Sequence, residues 1–479
     1  MSFASPVFLW FFMPAVLIAL WVLPKKARNL IVAVSSLLFY AWGAGEFVLL
    51  LLACIAINFA VGRLFDSAPF AQDGKRRKLL LAGTVAFDLS LLVIWKYGTF
   101  GLEQGADVAR FMGIDVGPVI QIALPIGISF FTFHHISYVV DIYRRVQPAQ
   151  TSPLQFITYI AMFPQLIAGP IVRYHEIASQ LPPDQPRDRL DDFARGFPRF
   201  ALGLAKKVIV ADSIAPVADS VFASSGGDLT TPVAWLGAIA FTLQIYFDFS
   251  GYSDMAIGLG QMLGFRLPEN FNRPYSSVSI TDFWRRWHMS LSRWFRDYLY
   301  IPLGGNRGSE LMTYRNLFIV FLLTGFWHGA AYTFIVWGLY HGCMLAIERA
   351  TGLRKLADDA YVVPRRAITL LLVIVGWVPF RAEDMGQAGA ILKAMFIPDF
   401  SGATPPAVSV ALDSQATVTI ALAALVVLLP RSFVFGRLLD EGRTRIATAA
   451  RFVVAAGFAP YAALLVAAGT FSPFLYFQF

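Results

Sequence analysis

Apolar runs of membrane-spanning length recur along the whole chain, and the short polar breaks between them carry most of its charge. The first runs from about Val7 to Leu23 and is followed by Lys25, Lys26 and Arg28. Leu30 to Trp42 and Phe47 to Phe65 come next, hinged at "GAGE". A bilayer core of about 30 Å takes about 20 mostly apolar residues of helix, so each run reads as a candidate span. Lysine and arginine collect on the cytoplasmic side of such helices. "GKRRK" (Gly74 to Lys78) is therefore expected inside, and Leu79 to Tyr97 should cross outward. Gly98 to Pro118 carries Glu103, Asp107 and Asp115 against Arg110 alone, which suits the outside. The next helix, Ile120 to Ile142, returns to Arg144 and Arg145 inside.

The middle of the chain is less regular. Met162 to Ile177 is apolar but broken by Pro164, Gly169 and Pro170. Such backbone survives at membrane depth only where protein or a watery cavity covers it. Further helices are expected at Phe197 to Phe222, Val233 to Phe249, Leu317 to Trp327, Thr333 to Ile347 and Ala367 to Phe380. Two more fall at Val418 to Leu429 and Phe452 to Thr470. Arg431, Arg437, Arg443, Arg445 and Arg451 put the loop between those two inside, so both the N-terminus and the terminal "SPFLYFQF" are expected outside. The expectation is an all-α polytopic integral membrane protein of roughly ten or more spans, with broken and interfacial helices, forming one membrane-embedded domain over residues 1–479.

Composition agrees with the pattern. Hydrophobic residues make up 57% of the 479, charged residues only 15%, and the mean hydropathy is +0.60; soluble domains carry about 25% charged residues. The net charge of +8 does not imply nucleic acid, because the basic residues sit between apolar runs. Cys54 and Cys343 lie inside apolar segments and read as small hydrophobes, with no disulfide framework or metal-ligand spacing. The N-terminal run lacks a basic region before it and reads as a retained first span rather than a signal peptide.

One stretch departs from this monotony. "FWRRWHMSLSRWFRDYLY" (Phe283 to Tyr300) holds three tryptophans, four arginines and a histidine. Wound at about 100° per residue, Phe283, Trp287, Leu291, Trp294 and Tyr298 form one apolar stripe, with Arg285, Arg286, Arg293 and Arg296 opposite. His288 falls at the border, beside Trp284 and Phe295. The pattern predicts a helix lying in the membrane interface. It serves either as a lipid-facing anchor or as a receiver of a phosphorylated cytoplasmic ligand, whose oxygens suit the paired donors of arginine. "PLGGNRG" (Pro302 to Gly308), with Asn306 and Arg307, follows as a turn or as a loop approaching the same ligand.

Six histidines are present: His134, His135, His175, His288, His328 and His341. His328 sits in "FLLTGFWHGAAYTFIVWG", where an ionisable group is costly and marks either a functional site or a packed, hydrogen-bonded ring. Gly325 and Gly329 beside it either admit a substrate chain to the backbone or serve helix packing. His341 would face away from His328 on a continuous helix. "IYFDFSGYSDMAIGLGQMLGF" places Asp248, Ser250 and Asp254 among apolar residues. The two aspartates are six apart, on different faces, and read as tunnel or structural groups holding broken backbone or an arginine. "GLGQMLG" misses the dinucleotide fingerprint, and no phosphate-binding loop, nucleophile elbow or metal cluster appears.

"FPQLIAGPIVRYHEI", "FDFSGYSDMAIGLGQMLGFRLPENFNRPY", "FWRRWHMSLSRWFRDYLYIPLGGNR", "GFWHGAAYTFIVWGLYHG" and the terminal "SPFLYFQF" resemble the membrane-bound O-acyltransferase family, closest to its bacterial alginate O-acetyltransferase branch. The resemblance runs from about Leu124 to Phe380 plus both ends. It implies a fold around a central tunnel, with His328 as the intramembrane histidine and His288 as the second polar residue of the site. It implies transfer of acetyl from a cytoplasmic donor, acetyl-CoA as co-substrate with no permanently bound cofactor, to a polysaccharide outside. A periplasmic acetyl-relay or SGNH-type hydrolase would be the partner, and the bacterial inner membrane the location. Alginate is one acceptor; peptidoglycan, cellulose and teichoic acid are others served by relatives. Arg285, Arg286, Arg293, Arg296, Asn306 and Arg307 are expected to face the donor. Two readings of other classes stay open, a polysaccharide or lipid exporter and a scaffold in a secretion complex. Reporter fusions at Ser2, Arg77, Arg443 and the C-terminus test the charge alternation. Ser2 and the C-terminus should report outside and the other two inside; a cytoplasmic C-terminus would show a miscounted span in the broken middle.

Overall fold

The computed structural model describes residues 2–183, 187–353, 356–357, 360–430, 439, 444–469 and 474–475. Every element among them is helical. Among the described residues, six helices are long and apolar enough to cross a membrane: Lys25–Ala44, Phe47–Phe65, Gly74–Phe111, Thr231–Met262, Val362–Arg381 and Arg445–Ala467. Shorter apolar helices occupy Phe8–Val22 and Ser414–Leu428. Arg431, Arg437 and Arg443 lie outside the described residues, as does most of "SPFLYFQF".

The chain clusters into two compact units. One comprises Met1–Gly196 with Leu259–Pro268; the other comprises Phe197–Gly258 with Glu269–Phe479. In the first unit, Gly74–Phe111 is a single helix of 38 residues. Asp73 caps it, its carboxylate accepting from the Lys75 and Arg76 amides. At 1.5 Å per residue it is about 57 Å long, nearly twice a bilayer core. It therefore absorbs most of the segment that charge alone marks as an external loop. Nothing between Gly98 and Phe111 stops a helix, and Asp107 pairs with Arg110 at 3.0 Å on its exposed face. The following helix starts eight residues later than periodicity predicts, at Ile128 rather than Ile120. Pro118 and Pro125 precede it, and Gly127 takes a left-handed conformation (φ 77°) at its N-cap. Met162 to Arg173 is broken as its prolines suggest, with one four-residue helix at Phe163–Leu166. All of these residues are buried, which is the condition for irregular backbone in a membrane protein.

In the second unit the helical path from Phe197 to Phe222 is continuous, but a π-turn at Lys206–Ala211 widens it. Thr231–Met262 runs past the expected end at Phe249, because the carboxylates it carries there find cationic partners, described below. Glu310–His328 and Tyr332–Ala350 form a close antiparallel pair. Gly325 lies against the Phe334 carbonyl and the Gly338 Cα, and Gly338 against the Phe321 carbonyl and the Gly325 Cα. Gly329 lies against the Phe334 ring. These glycines therefore serve helix packing, since any side chain on Gly325 or Gly338 would occupy the neighbouring backbone. Gly325→Val should lower folded, detergent-extractable protein sharply, by overpacking worth about 1–3 kcal/mol or more. Gly389→Ala, in open space on Met385–Phe396, should leave the yield of folded, detergent-extractable protein unchanged.

Candidate active site

The Phe283 to Tyr300 stretch is not one helix. It folds as Ile280–Trp284, a turn, Met289–Phe295 and a π-turn at Arg296–Tyr300. Ser279 caps the first piece by accepting from the Asp282 amide at 3.0 Å. The Glu348 carboxylate accepts from the Ile280 amide and from the Thr281 amide and hydroxyl. The break falls at His288, whose backbone is left-handed (φ 44°, ψ 53°). That conformation costs a non-glycine residue about 1–2 kcal/mol, so neighbouring structure must impose it. Asn270 does so. Its carbonyl accepts from the Met289 amide at 2.9 Å. Its side-chain Oδ1 accepts from the Ser290 amide (3.2 Å) and hydroxyl (2.9 Å), and lies 3.1 Å from His288 Nδ1. Its Nδ2 donates to Ser253 Oγ at 3.1 Å.

The apolar stripe of this stretch faces protein rather than lipid. Phe283, Trp287, Leu291 and Trp294 are all buried. Trp287 packs against Trp377 at 4.8 Å between ring centres. Tyr275 stacks on the same ring, and its hydroxyl donates to the Thr242 carbonyl at 2.7 Å. The interfacial-anchor reading is thereby corrected. Amphipathic spacing is the same whether the apolar face meets acyl chains or an aromatic core.

His328 ends the helix Glu310–His328, with Gly329 extended just beyond it. Its ring sits 4.8 Å from that of Trp327, 5.0 Å from Trp337 and 5.1 Å from Phe380. The Trp327 ring is also 6.0 Å from that of His288, so one indole touches both histidines. Burial pulls the His288 imidazole down to about 3, which leaves it neutral. His341 lies on a separate helix from His328, so the two are not opposed on one cylinder. Trp337 stands between them, 5.1 Å from His341. His341 Nδ1 has no hydrogen-bond partner among the described residues.

The arginines expected to face a donor are engaged locally. Arg286 pairs with Asp282 at 2.7 Å. Arg293 donates to the Glu269 carbonyl at 2.8 Å and the Met289 carbonyl at 3.2 Å. Arg296 binds Asp297 through two nitrogens, at 2.7 and 3.0 Å. Arg285, Asn306 and Arg307 are exposed. None of the six lines the large cavity of the second unit, which measures about 700 Å³.

That cavity is bounded instead by Ser250 and Asp254, two of the polar groups singled out on Thr231–Met262, and by residues that the sequence pattern did not mark. Its polar end carries Arg199, Lys206, Asp254, Glu269, Asn270 and Ser253; Val426, Val427 and Phe458 form part of its apolar wall. Arg199 reaches Asp254 at 2.6 Å and Glu269 at 2.9 Å, and Lys206 reaches Asp254 at 2.5 Å. Ser250 lines the same cavity, and its hydroxyl has no partner among the described residues. Asp248 points elsewhere. It pairs with Lys207 at 2.8 Å and accepts from the Leu475 amide at 3.0 Å. The π-turn at Lys206–Ala211 and the loop bearing Asn270 bring these groups together, and only "PENFNRPY", with two asparagines between prolines, hinted at the loop.

Residues 38–375 match the model of the membrane-bound O-acyltransferase family. The chain belongs to that family. The matched span contains His288, His328, Asn270 and the charged end of the cavity, so this membrane-bound O-acyltransferase carries its candidate site inside the region that defines the family. The chain is 49% identical over 397 residues to a probable alginate O-acetylase of Azotobacter vinelandii, covering 83% of this chain and 78% of the relative. It is 37% identical over 427 residues to a peptidoglycan O-acetyltransferase of Helicobacter pylori, covering 82% and 79%. It is 30% identical over 232 residues to a teichoic acid D-alanyltransferase of Bacillus subtilis, covering 46% and 58%. The charged cluster gives a stability prediction. Asp254→Ala takes their shared carboxylate from the buried Arg199, which keeps Glu269, and from the half-buried Lys206. It should cost less than the about 3–5 kcal/mol of a fully buried broken pair, read as a lowered melting temperature in detergent. Asp107→Ala, in an exposed pair, should change it little.

Proposed function

We propose that this membrane-bound O-acyltransferase moves an acetyl group from a cytoplasmic thioester, acetyl-CoA, toward hydroxyls of a polysaccharide outside the membrane. The observation that carries this reading is the pair of buried histidines, His328 and His288, joined by contact with Trp327 inside the family's defining region. Alginate is the favoured acceptor class, since the A. vinelandii relative is a probable alginate O-acetylase. A periplasmic relay protein of the SGNH hydrolase type fits as the immediate acceptor. Ten or more helices around a tunnel, in one inner-membrane domain with both termini outside, complete the proposal. Arg285, Arg286, Arg293, Arg296, Asn306 and Arg307 are proposed to meet donor phosphates at the cytoplasmic mouth.

Acetyl transfer requires that a hydroxyl lose its proton as its oxygen attacks the thioester carbonyl; the C–S bond then breaks and the leaving thiolate takes a proton. Histidine suits that exchange because its two ring nitrogens accept and return protons near neutral pH. His328 is proposed to take the hydroxyl proton and hand it to the thiolate. Its place at a helix C-terminus, where uncompensated carbonyls gather, suits a ring that is transiently cationic. His288 supports the same step. Walls of tryptophan and phenylalanine exclude water, which limits loss of acetyl by hydrolysis.

His328→Ala and His328→Gln should lower acetyl transfer by about 10²–10⁴-fold in membranes supplied with labelled acetyl-CoA, while the protein still inserts. His288→Ala should cost less. A polymer that stays fully acetylated in cells whose sole copy is His328→Gln would remove this mechanism and bring the exporter reading forward.

A further inference from the structure

We infer that Asn270 is a positioning residue that fixes the tautomer of His288, so that His288 supports acyl transfer as a hydrogen-bond acceptor through Nε2 and not as a donor that polarises the thioester. The inference rests on the acyl-transfer reading above for its function, but its geometric half stands without it.

Some of the groups around Asn270 can only donate. The Ser290 backbone N–H has no acceptor capacity, and it points at the Asn270 side chain at 3.2 Å. The atom it meets must therefore be the amide oxygen, because an NH₂ there would oppose donor to donor. The same orientation turns Nδ2 toward Ser253 Oγ, which accepts it at 3.1 Å. With Oδ1 so placed, the His288 nitrogen 3.1 Å away has to carry a hydrogen. Nδ1 is the protonated nitrogen, and in a neutral imidazole that leaves the lone pair on Nε2. Asn270 is itself fully buried and clamps residues 288, 289 and 290 at once. Neither its amide nor the ring can turn over without leaving a buried group unpaired.

The consequence for chemistry is specific. A neutral ring with Nδ1–H engaged by Asn270 offers only an acceptor toward reactants. His288 can align an O–H group by accepting from it, but cannot place an N–H on the thioester oxygen. The groups facing the ring from neighbouring elements leave it neutral. Among them are the rings of Phe249 on Thr231–Met262 and Trp327 on Glu310–His328, with His328 one residue beyond. The charges those elements and the Asn270 loop carry are engaged elsewhere: Asp248 with Lys207, Asp254 with Arg199 and Lys206, Glu269 with Arg199, Arg266 with Asp192, Arg273 with the Leu429 carbonyl and Arg315 with Asn316, while Glu310 is exposed. On the stretch bearing His288 itself, Arg286 is held by Asp282 and Arg293 by carbonyls, while Arg285 is exposed.

The test has one arm that needs no turnover. In protein labelled with ¹⁵N-histidine, the His288 signal, assigned by its loss in His288→Gln, should show a protonated Nδ1 and an unprotonated Nε2 in solid-state NMR. An Nε2–H tautomer would overturn the inference whether or not the enzyme is active. The second arm is kinetic. Asn270→Asp keeps an acceptor for Nδ1–H but adds a negative charge, which raises the His288 pKa. As pH falls, the ring then gains its second proton earlier, and the acid limb of the kcat/KM profile should move to higher pH than in the wild type. A variant profile that overlays the wild type would count against the inference. Asn270→Ala should lower kcat by about 10²-fold or more with KM for acetyl-CoA unchanged, judged only if the variant elutes as the wild type does. If it does not fold, the wild-type spectrum and Asn270→Asp still decide. A wild-type protein that shows the expected tautomer but transfers no acetyl group would remove the acyl-transfer reading and leave the tautomer assignment in place.

Discussion

Asn270 holds His288 in a backbone conformation that its own residue type disfavours, and the course of the arginine-rich stretch depends on that hold. The clamp spans three consecutive residues. It ends one short helix and starts another, so the arginine-rich stretch bends instead of running straight. The bend turns Phe283 and Trp287 into the aromatic core with Tyr275 and Trp377, and leaves His288 against Trp327. Inside a membrane protein a polar side chain with four unmet hydrogen bonds would be costly. Asn270 engages both ends of its amide and partners His288, Ser290 and Ser253 at once.

The same constraint governs the carboxylates. Asp248 and Asp254 lie six residues apart on a helix with no other charged residue, and each is neutralised by its own cations on the helical path that includes the π-turn Lys206–Ala211. Consecutive lysines at 206 and 207 serve different aspartates. Asp254 closes the polar end of the cavity, while Asp248 ties down the backbone at Leu475. Polarity within this unit thus separates into a structural strut and a cavity wall, although both are built from the same residue types.

Apolar period and charge alternation placed most of the long helices within a few residues, because each buries or exposes a run whose length the bilayer sets. They misplaced the ends where a local stop was weak. The helix at Gly74 ran on to Phe111, since an exposed acidic pair does not end a helix. Pro125 and Gly127 delayed the start of the next. The histidines were legible as ionisable groups in apolar context and, through family resemblance, as a pair. Asn270, Arg199 and Lys206 were not, because nothing in their own neighbourhood of the chain marks them apart from other polar residues.

What the sequence determined by itself was therefore the class of molecule and the sites of its long helices, which follow from local composition and spacing, and the two histidines worth attention, which family resemblance singled out from six. The tertiary structure alone decided that the amphipathic stretch breaks at His288, that its aromatic face is packed inside, that Gly325 and Gly338 bring two backbones together, and that Asn270 sets the histidine's orientation. Each of those outcomes depends on a partner distant along the chain or on a hydrogen bond whose direction is fixed only when both groups are buried together. A helical wheel has no term for either.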